Sequence, residues 1–76
     1  MRYFFDILSD RLETVDGEGC ELESDAQMRV EATRLLADIV AAEAPYGIAR
    51  VTARVRDGHG RQVYRTVLSI EGQRVQ

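Results

Sequence analysis

The sequence predicts an α+β fold, a three- or four-stranded antiparallel sheet with one helix packed on one face, in the order strand, optional short strand, helix, strand, strand. Three observations predict it. Residues 51–70 alternate apolar and polar side chains on both sides of a glycine-marked turn, as β-hairpins do. Residues 25–44 repeat apolar residues at helical spacing, and residues 2–8 are rich in aromatic and branched side chains.

In the first predicted strand, residues 2–8, alternation places Tyr3, Phe5 and Ile7 on one face and Phe4 and Leu8 on the other. Residues 9–23 contain turn-forming residues, glycines and several carboxylates with only scattered apolar residues. We therefore expect a loop or a ragged short strand in that segment.

The helix is expected to begin near Asp25, because Ser24 can cap the backbone N–H of Gln27 and Gln27 can return a hydrogen bond. Pro45 ends it by Ala44, since the residue before a proline avoids helical geometry. Residues at helical spacing form one apolar stripe that should face the sheet: Met28, Ala32, Leu35, Leu36, Ile39 and Ala42.

The hairpin strands are predicted at residues 49–56 and 61–70, joined by a turn at residues 57–60 whose aspartate and glycines suit a tight reversal. In the first of them, Val51, Ala53 and Val55 alternate with polar residues and should face the core. The second strand carries apolar residues on both faces: Tyr64, Leu68 and Ile70 against Val63 and Val67. A central strand, or one covered by a second subunit, would explain this pattern.

The 76 residues, 45% of them hydrophobic and 30% charged, have room for one folded domain, residues 1–76. A domain of this size buries only about 60% of the surface of its unfolded chain, so self-association would add stability. The single cysteine, Cys20, excludes an intrachain disulfide framework, and no segment reaches the roughly 20 apolar residues that span a bilayer. We expect a cytoplasmic protein without membrane contact.

Charge is divided unevenly along the chain. Residues 1–44 contain 11 acidic residues and 4 arginines, a balance of −7, whereas residues 45–76 contain 2 acidic residues and 6 arginines, a balance of +4. All 10 basic residues are arginines. A GC-rich genome is the simplest explanation, although arginine is also suited to bidentate contacts with phosphate and carboxylate groups.

Three segments together resemble a family of short alphaproteobacterial proteins, common in rhizobia, that is classed as a domain of unknown function. They are Met-Arg-Tyr-Phe-Phe-Asp at residues 1–6, Asp-Gly-Glu-Gly-Cys-Glu-Leu at residues 16–22, and Val-Arg-Asp-Gly-His-Gly-Arg-Gln-Val at residues 55–63. The resemblance covers nearly the whole chain and implies the same architecture, but no catalytic residue. The opening strand, Gly19-Cys20 and the helix also resemble small antitoxins of the HicB type, which implies an antitoxin-like partner of a small toxin.

Catalytic and metal-binding patterns are incomplete. The carboxylates of residues 16–25 do not follow the ligand spacing of an EF-hand loop, and Gly17-x-Gly19 lacks the third glycine of a dinucleotide-binding turn. Cys20 and His59 are the only thiol and imidazole, which is too few for a zinc site and leaves a nucleophile without an orienting group. We expect no catalytic residue, no cofactor and no metal site.

Two surfaces are candidates for contact. Arginines of the hairpin with one aromatic residue form the first, which could bind single-stranded nucleic acid or a protein partner: Arg50, Arg54, Arg56, Arg65 and Phe4. Arg65 joins this face if Tyr64 points inward. Small apolar residues on the back of the helix form the second, a seam for self-association into a homodimer, with Val40 at its margin: Val30, Ala37, Ala41 and Ala44. The sequence thus favours a non-catalytic interaction module, with a nucleic-acid-binding protein or an antitoxin-like protein as alternatives.

Overall fold

The computed structural model describes residues 1–44 and 50–76 of the chain. It confirms the α+β fold, with one long helix and an antiparallel sheet. The elements in chain order are β1 (Arg2–Ser9), β2 (Glu13–Thr14), β3 (Cys20–Glu21), α1 (Asp25–Glu43), β4 (Arg50–Arg56) and β5 (Gln62–Ser69). The predicted role of Pro45 in ending the helix lies outside the described residues, as does the predicted start of the first hairpin strand at residue 49.

The sheet has the strand order β2-β1-β4-β5, and β3 also pairs with β1. The segment expected to be a loop or ragged strand forms two strands of two residues each, so the sheet has five strands rather than three or four. β2 pairs with the end of β1 at Ile7 and Leu8, and β3 pairs with its start at Arg2 and Tyr3. Strands of two residues are too short to show an alternation of apolar and polar side chains in the sequence.

The core lies between α1 and one face of the sheet. The side chains predicted to point inward from β1 and β4 are buried: Tyr3, Phe5, Ile7, Val51, Ala53 and Val55. On the helix the buried residues follow one i, i+4 row: Met28, Ala32, Leu36 and Val40. The prediction was therefore wrong at the last turn, where Val40 rather than Ala42 packs against the sheet, because an i, i+4 row rotates steadily around the helix.

The helix begins as predicted. Ser24 is the N-cap, and its hydroxyl accepts a hydrogen bond from the backbone N–H of Gln27 at 3.1 Å. The Gln27 side chain accepts in return from the backbone N–H of Glu23 at 2.8 Å, one residue earlier than in the usual capping box. Two otherwise unpaired backbone donors are thereby satisfied at the entry to α1.

The register of the hairpin resolves the ambiguity in β5. Tyr64, Thr66 and Leu68 lie opposite the core residues Val55, Ala53 and Val51 of β4, so these three point toward α1. Within the turn, Gly60 has a φ of +82°, a backbone conformation that favours glycine. Residues 70–76 contain no helix or strand, and α1, the only helix among the described residues, is not long and apolar enough to cross a membrane.

Candidate interaction surfaces

The sheet surface on the side away from α1, called the open face below, carries the arginines predicted from the sequence. It is formed by residues of the three long strands: Phe4, Asp6, Leu8, Arg50, Thr52, Arg54, Arg56, Gln62, Arg65 and Val67. Strand pairing arranges them in rows across the sheet. One row contains Asp6, Arg54 and Arg65, and the next contains Leu8, Thr52 and Val67. Val63 lies at a register irregularity of the β4–β5 ladder and has no directly opposed residue in β4.

Arg56 is fully engaged within the open face. Its guanidinium donates to both carboxylate oxygens of Asp6, at 2.7 and 2.9 Å, and to the backbone carbonyl of Asp16 at 2.9 Å. It also lies 5.1 Å from the centroid of the Phe4 ring, a cation–π contact. Two members of the predicted binding surface, Arg56 and Phe4, therefore contact each other, and the guanidinium lies over the ring.

This ion pair shifts the pKa values of both partners. The hydrogen bonds from Arg56 lower the pKa of Asp6 below its ordinary value, against the opposing effect of burial. The same contact raises the pKa of Arg56. Asp6 and Arg56 are 50 residues apart in the sequence, which is why neither local spacing nor composition predicts the pair.

Asp16 holds the segment between β2 and β3 against β1. Its carboxylate accepts hydrogen bonds from the backbone N–H groups of Phe5, Glu18 and Gly19, each at 3.0 Å. Its own backbone N–H donates to Asp6 at 3.0 Å. Burial raises the pKa of Asp16, but the three backbone hydrogen bonds outweigh it, so the pKa is lowered.

Gly19 completes this segment because no larger residue fits there. Its φ is +75°, and a Cβ atom on it would lie 2.9 Å from side-chain carbons of Arg2 and Phe4. Asp16 and Gly19 thus both have structural roles in the segment between β2 and β3. Cys20, the next residue, is half-buried and packs against the core cluster that contains Tyr3 and Met28.

Three arginines of the open face extend into solvent: Arg50, Arg54 and Arg65. Arg54 lies directly opposite Arg65 in the β4–β5 ladder. Within residues 1–44 and 50–76, none of the three forms an ion pair. Like charges in directly opposed cross-strand positions destabilise a sheet. Asp6 lies opposite Arg54 on the other side but pairs with Arg56.

A small pocket of about 80 Å³ lies beside Arg54, with Asp6, Leu8, Glu13 and Val15 in its lining. Pockets that enclose small-molecule ligands have volumes of about 300–1,000 Å³. In the next row Thr52 is buried between the half-buried Leu8 and Val67. The open face is therefore a shallow surface with an apolar row beside a basic row.

The seam on the back of α1 is exposed at all four predicted positions: Val30, Ala37, Ala41 and Ala44. Val40, expected at its margin, belongs to the core instead. The Arg34 guanidinium lies beside the seam and pairs with Glu31 at 2.6 Å and with Asp38 at 2.8 Å. The seam is thus narrow, and Val30 is its only large apolar side chain.

The two edges of the sheet differ in what covers them. The edge of β1 that does not pair with β4 is covered by β2, by β3 and by the segment between them that contains Asp16. β5, at the other edge, has eight residues and pairs only with β4 among the described strands. Its outer backbone N–H and C=O groups therefore have no strand partner there, a feature that sequence alternation alone does not reveal.

Metal-binding groups do not cluster in the described part of the chain. No set of three His, Cys, Asp or Glu side chains in residues 1–44 and 50–76 could hold a metal ion. Asp57, buried beside the hairpin turn, accepts hydrogen bonds from the backbone N–H groups of His59 and Arg61, at 2.9 and 3.0 Å. This places Asp57 in a turn-stabilising role.

Comparison with known proteins gives one match. No significant match was found among curated proteins or among solved structures. The model of a protein family described as Domain of unknown function (DUF6894) matches residues 2–69. The match spans every strand and the helix, including the segments at residues 16–22 and 55–63. The chain therefore belongs to the DUF6894 family, a domain of unknown function.

Proposed function

We propose that this protein is a non-catalytic interaction module that associates with itself through the free edge of β5. The observation that carries the proposal is the one-sided pairing of this eight-residue strand. An edge strand of this length presents a row of unpaired backbone groups that a second strand can pair with. Proline and lysine, which commonly protect such edges, are absent from β5, and its protecting features are one charged residue, Arg65, and a register irregularity near its start.

The side chains of β5 support the same surface. Tyr64 and Leu68 pack toward the helix side, Val67 lies on the open face opposite Thr52, and Val63 lies at the register irregularity beside Tyr64. A second strand paired at this edge would therefore find apolar cross-strand neighbours on each face of the sheet. Val63 remains 47% exposed in the single chain, so a partner strand has apolar surface to cover.

The position of α1 also suits a dimer with its two-fold axis perpendicular to the sheet. α1 contacts β4 and β5 to the same extent. Since strands are about 4.8 Å apart, pairing β5 with β5 of a second copy would place the two helix axes about 10 Å apart. Packed helices have axes 8–10 Å apart, so the two helices would lie side by side.

Small residues lie on the flank of α1 that would face the second helix. The Arg29 guanidinium lies 5.2 Å from the Tyr64 ring centroid, which marks this flank as the one above β5. Thr33 and Ala37 follow Arg29 at i+4 and i+8. Ala37 belongs to the seam predicted from the sequence, so part of that seam would contribute to the same interface.

One register of the β5 pair is favoured. Two registers with this symmetry pair seven residues of each copy of β5. Centring the pair on Arg65 sets two arginines directly opposite each other, which is unfavourable. Centring it on Thr66 opposes two threonines, which can hydrogen bond, and sets Tyr64 opposite Leu68 of the second copy and Arg65 opposite Val67.

Sedimentation equilibrium with charge variants at Val67 tests the proposal. We expect the wild-type protein to have about twice the chain mass of 8.6 kDa. In this register each Val67 lies opposite Arg65 of the other copy, so the contact occurs twice per dimer. Val67→Lys would place two like charges there and should shift the mass toward the monomer. Val67→Glu would place an opposite charge there and should strengthen association. Val67→Thr is the neutral control. A monomeric wild-type protein, or Val67→Lys and Val67→Glu proteins of equal association, would contradict the proposal.

A further inference from the structure

We infer that the Arg54–Arg65 pair on the open face is a docking site for an acidic segment of a partner protein, with carboxylates at the arginines and apolar side chains beside them. The inference does not depend on self-association. It rests on the charge of side chains on the open face rather than on the unpaired backbone groups of β5, and Arg65 and Val67 belong to both surfaces.

The arginine pair has the geometry of a carboxylate site. Directly opposed residues of antiparallel strands have Cβ atoms about 4.5–5.5 Å apart, so the guanidiniums of Arg54 and Arg65 can reach one carboxylate together. A guanidinium presents a planar fork of donors that matches a carboxylate. An incoming carboxylate would also remove the like-charge repulsion between the two side chains.

The comparison with Arg56 shows what sets this pair apart. Arg56 lies on the same strand and face as Arg54, and Asp6 neutralises it at 2.7 Å within the chain. Arg54 lies beside the same Asp6 in the row, yet forms no ion pair among the described residues. On the open face, therefore, Arg56 has a charged partner within the chain, whereas the side chains of Arg50, Arg54 and Arg65 are exposed to solvent.

The neighbouring row specifies the rest of the ligand. Leu8, Thr52 and Val67 lie one row along the strands from Asp6, Arg54 and Arg65, two residues away and so about 7 Å. An extended peptide places residues i and i+2 on one face with the same spacing. An acidic residue followed two positions later by an apolar residue would match both rows.

Single-stranded nucleic acid fits the open face less well. Such ligands stack their bases on exposed aromatic rings. The guanidinium of Arg56 lies over the Phe4 ring, Tyr3 is buried in the core, and Tyr64 points toward α1 with Arg29 over it. The open face thus offers cations beside apolar side chains and no free aromatic ring within residues 1–44 and 50–76.

Fluorescence anisotropy with two labelled probes tests the inference. The first probe is a peptide of repeated Glu-Ser-Leu-Ser, and the second is an oligothymidylate of similar length. We expect the peptide to bind, and to bind more weakly as salt increases, while its Gln-Ser-Leu-Ser counterpart does not bind. Arg54→Gln/Arg65→Gln should weaken peptide binding about tenfold or more, since each arginine loses a charge-assisted contact.

The matched control is Arg61→Gln/Arg74→Gln, which removes the same charge from the turn and the C-terminal segment. It should change peptide binding by no more than about twofold, because long-range charge effects are screened. Urea unfolding of the Arg54→Gln/Arg65→Gln protein, expected at or above the wild-type midpoint, shows that the fold is intact. The inference is overturned by equal losses in both double variants, by absence of peptide binding, or by oligothymidylate binding tighter than the peptide.

Discussion

The Arg56 guanidinium contacts both carboxylate oxygens of Asp6, at 2.7 and 2.9 Å, and so ties β4 to β1 across the open face. The same guanidinium reaches the backbone carbonyl of Asp16 in the segment between β2 and β3. One arginine thereby connects three parts of the chain. Its role is structural, in contrast to Arg54 on the same strand.

Replacing the acid of this pair should destabilise the fold. Asp6→Asn leaves Arg56 without its charged partner and weakens the acceptor for the backbone N–H of Asp16. We expect the free energy of unfolding to fall by about 1–3 kcal/mol, measured by urea denaturation. Asp10→Asn, at an exposed position, is the control and should change it by less than about 0.5 kcal/mol. Equal effects of the two substitutions would contradict the role given to Asp6.

A methyl group at Gly19 should not be tolerated. Gly19→Ala combines a φ of +75° with contacts of 2.9 Å to the side chains of Arg2 and Phe4, and we expect it to cost about 1–3 kcal/mol of stability. Gly17→Ala is the matched control, since a Cβ atom at Gly17 meets nothing within 4 Å. Thermal unfolding of the two variants measures the difference. Gly19→Ala as stable as Gly17→Ala would show that the close approach is unimportant.

Acid should destabilise the protein through Asp6 and Asp16. Both pKa values lie below the ordinary 3.8 in the folded chain, so the unfolded chain binds protons more readily. Their stabilising contribution is complete above about pH 4 and is lost as pH falls through the lowered values. Urea unfolding at about pH 7 and pH 3 measures this loss. Asp16→Asn should reduce the pH dependence, whereas Asp10→Asn should retain it; unchanged pH dependence in Asp16→Asn would argue against the assignment.

The two candidate surfaces for self-association are separable by one substitution. Val30 follows the core residue Met28 by two positions, about 200° around α1, and so lies opposite the core and away from the flank above β5. If β5 forms the interface, Val30→Glu should leave the mass in sedimentation equilibrium unchanged. A smaller species for Val30→Glu, with Val67→Lys unaffected, would assign self-association to the back of the helix instead.

The sequence predicted those elements whose pattern is long and local. The alternation in β1 and β4 and the helical stripe through Met28, Ala32 and Leu36 each repeat over several residues or turns. The capping pair, Ser24 and Gln27, is three residues apart. These features fixed the fold class. They also placed Arg50 and Arg54 on one face, because alternation determines which side of a strand a residue occupies. Arg65 joins them through the hairpin register, which the alternation in β5 left open.

The features that escaped prediction depend on contacts between distant segments. β2 and β3 are each two residues long and exist only because β1 lies beside them. The pairing of Arg56 with Asp6 joins residues 50 positions apart, so the sequence alone grouped Arg56 with the arginines exposed to solvent. The free edge of β5 is likewise a property of strand order, which local patterns do not encode.

Disulfide formation at Thr66 tests the proposed assembly most directly. In a Cys20→Ser background, Thr66→Cys should form a covalent dimer under mild oxidation, because opposed residues of paired strands lie within disulfide reach. Gln62→Cys in the same background should not, since in this register each Gln62 lies far beyond about 7 Å from its copy. Rapid cross-linking at Thr66 alone is the predicted result. Absence of cross-linking at Thr66, or equal cross-linking at both positions, would contradict self-association through β5.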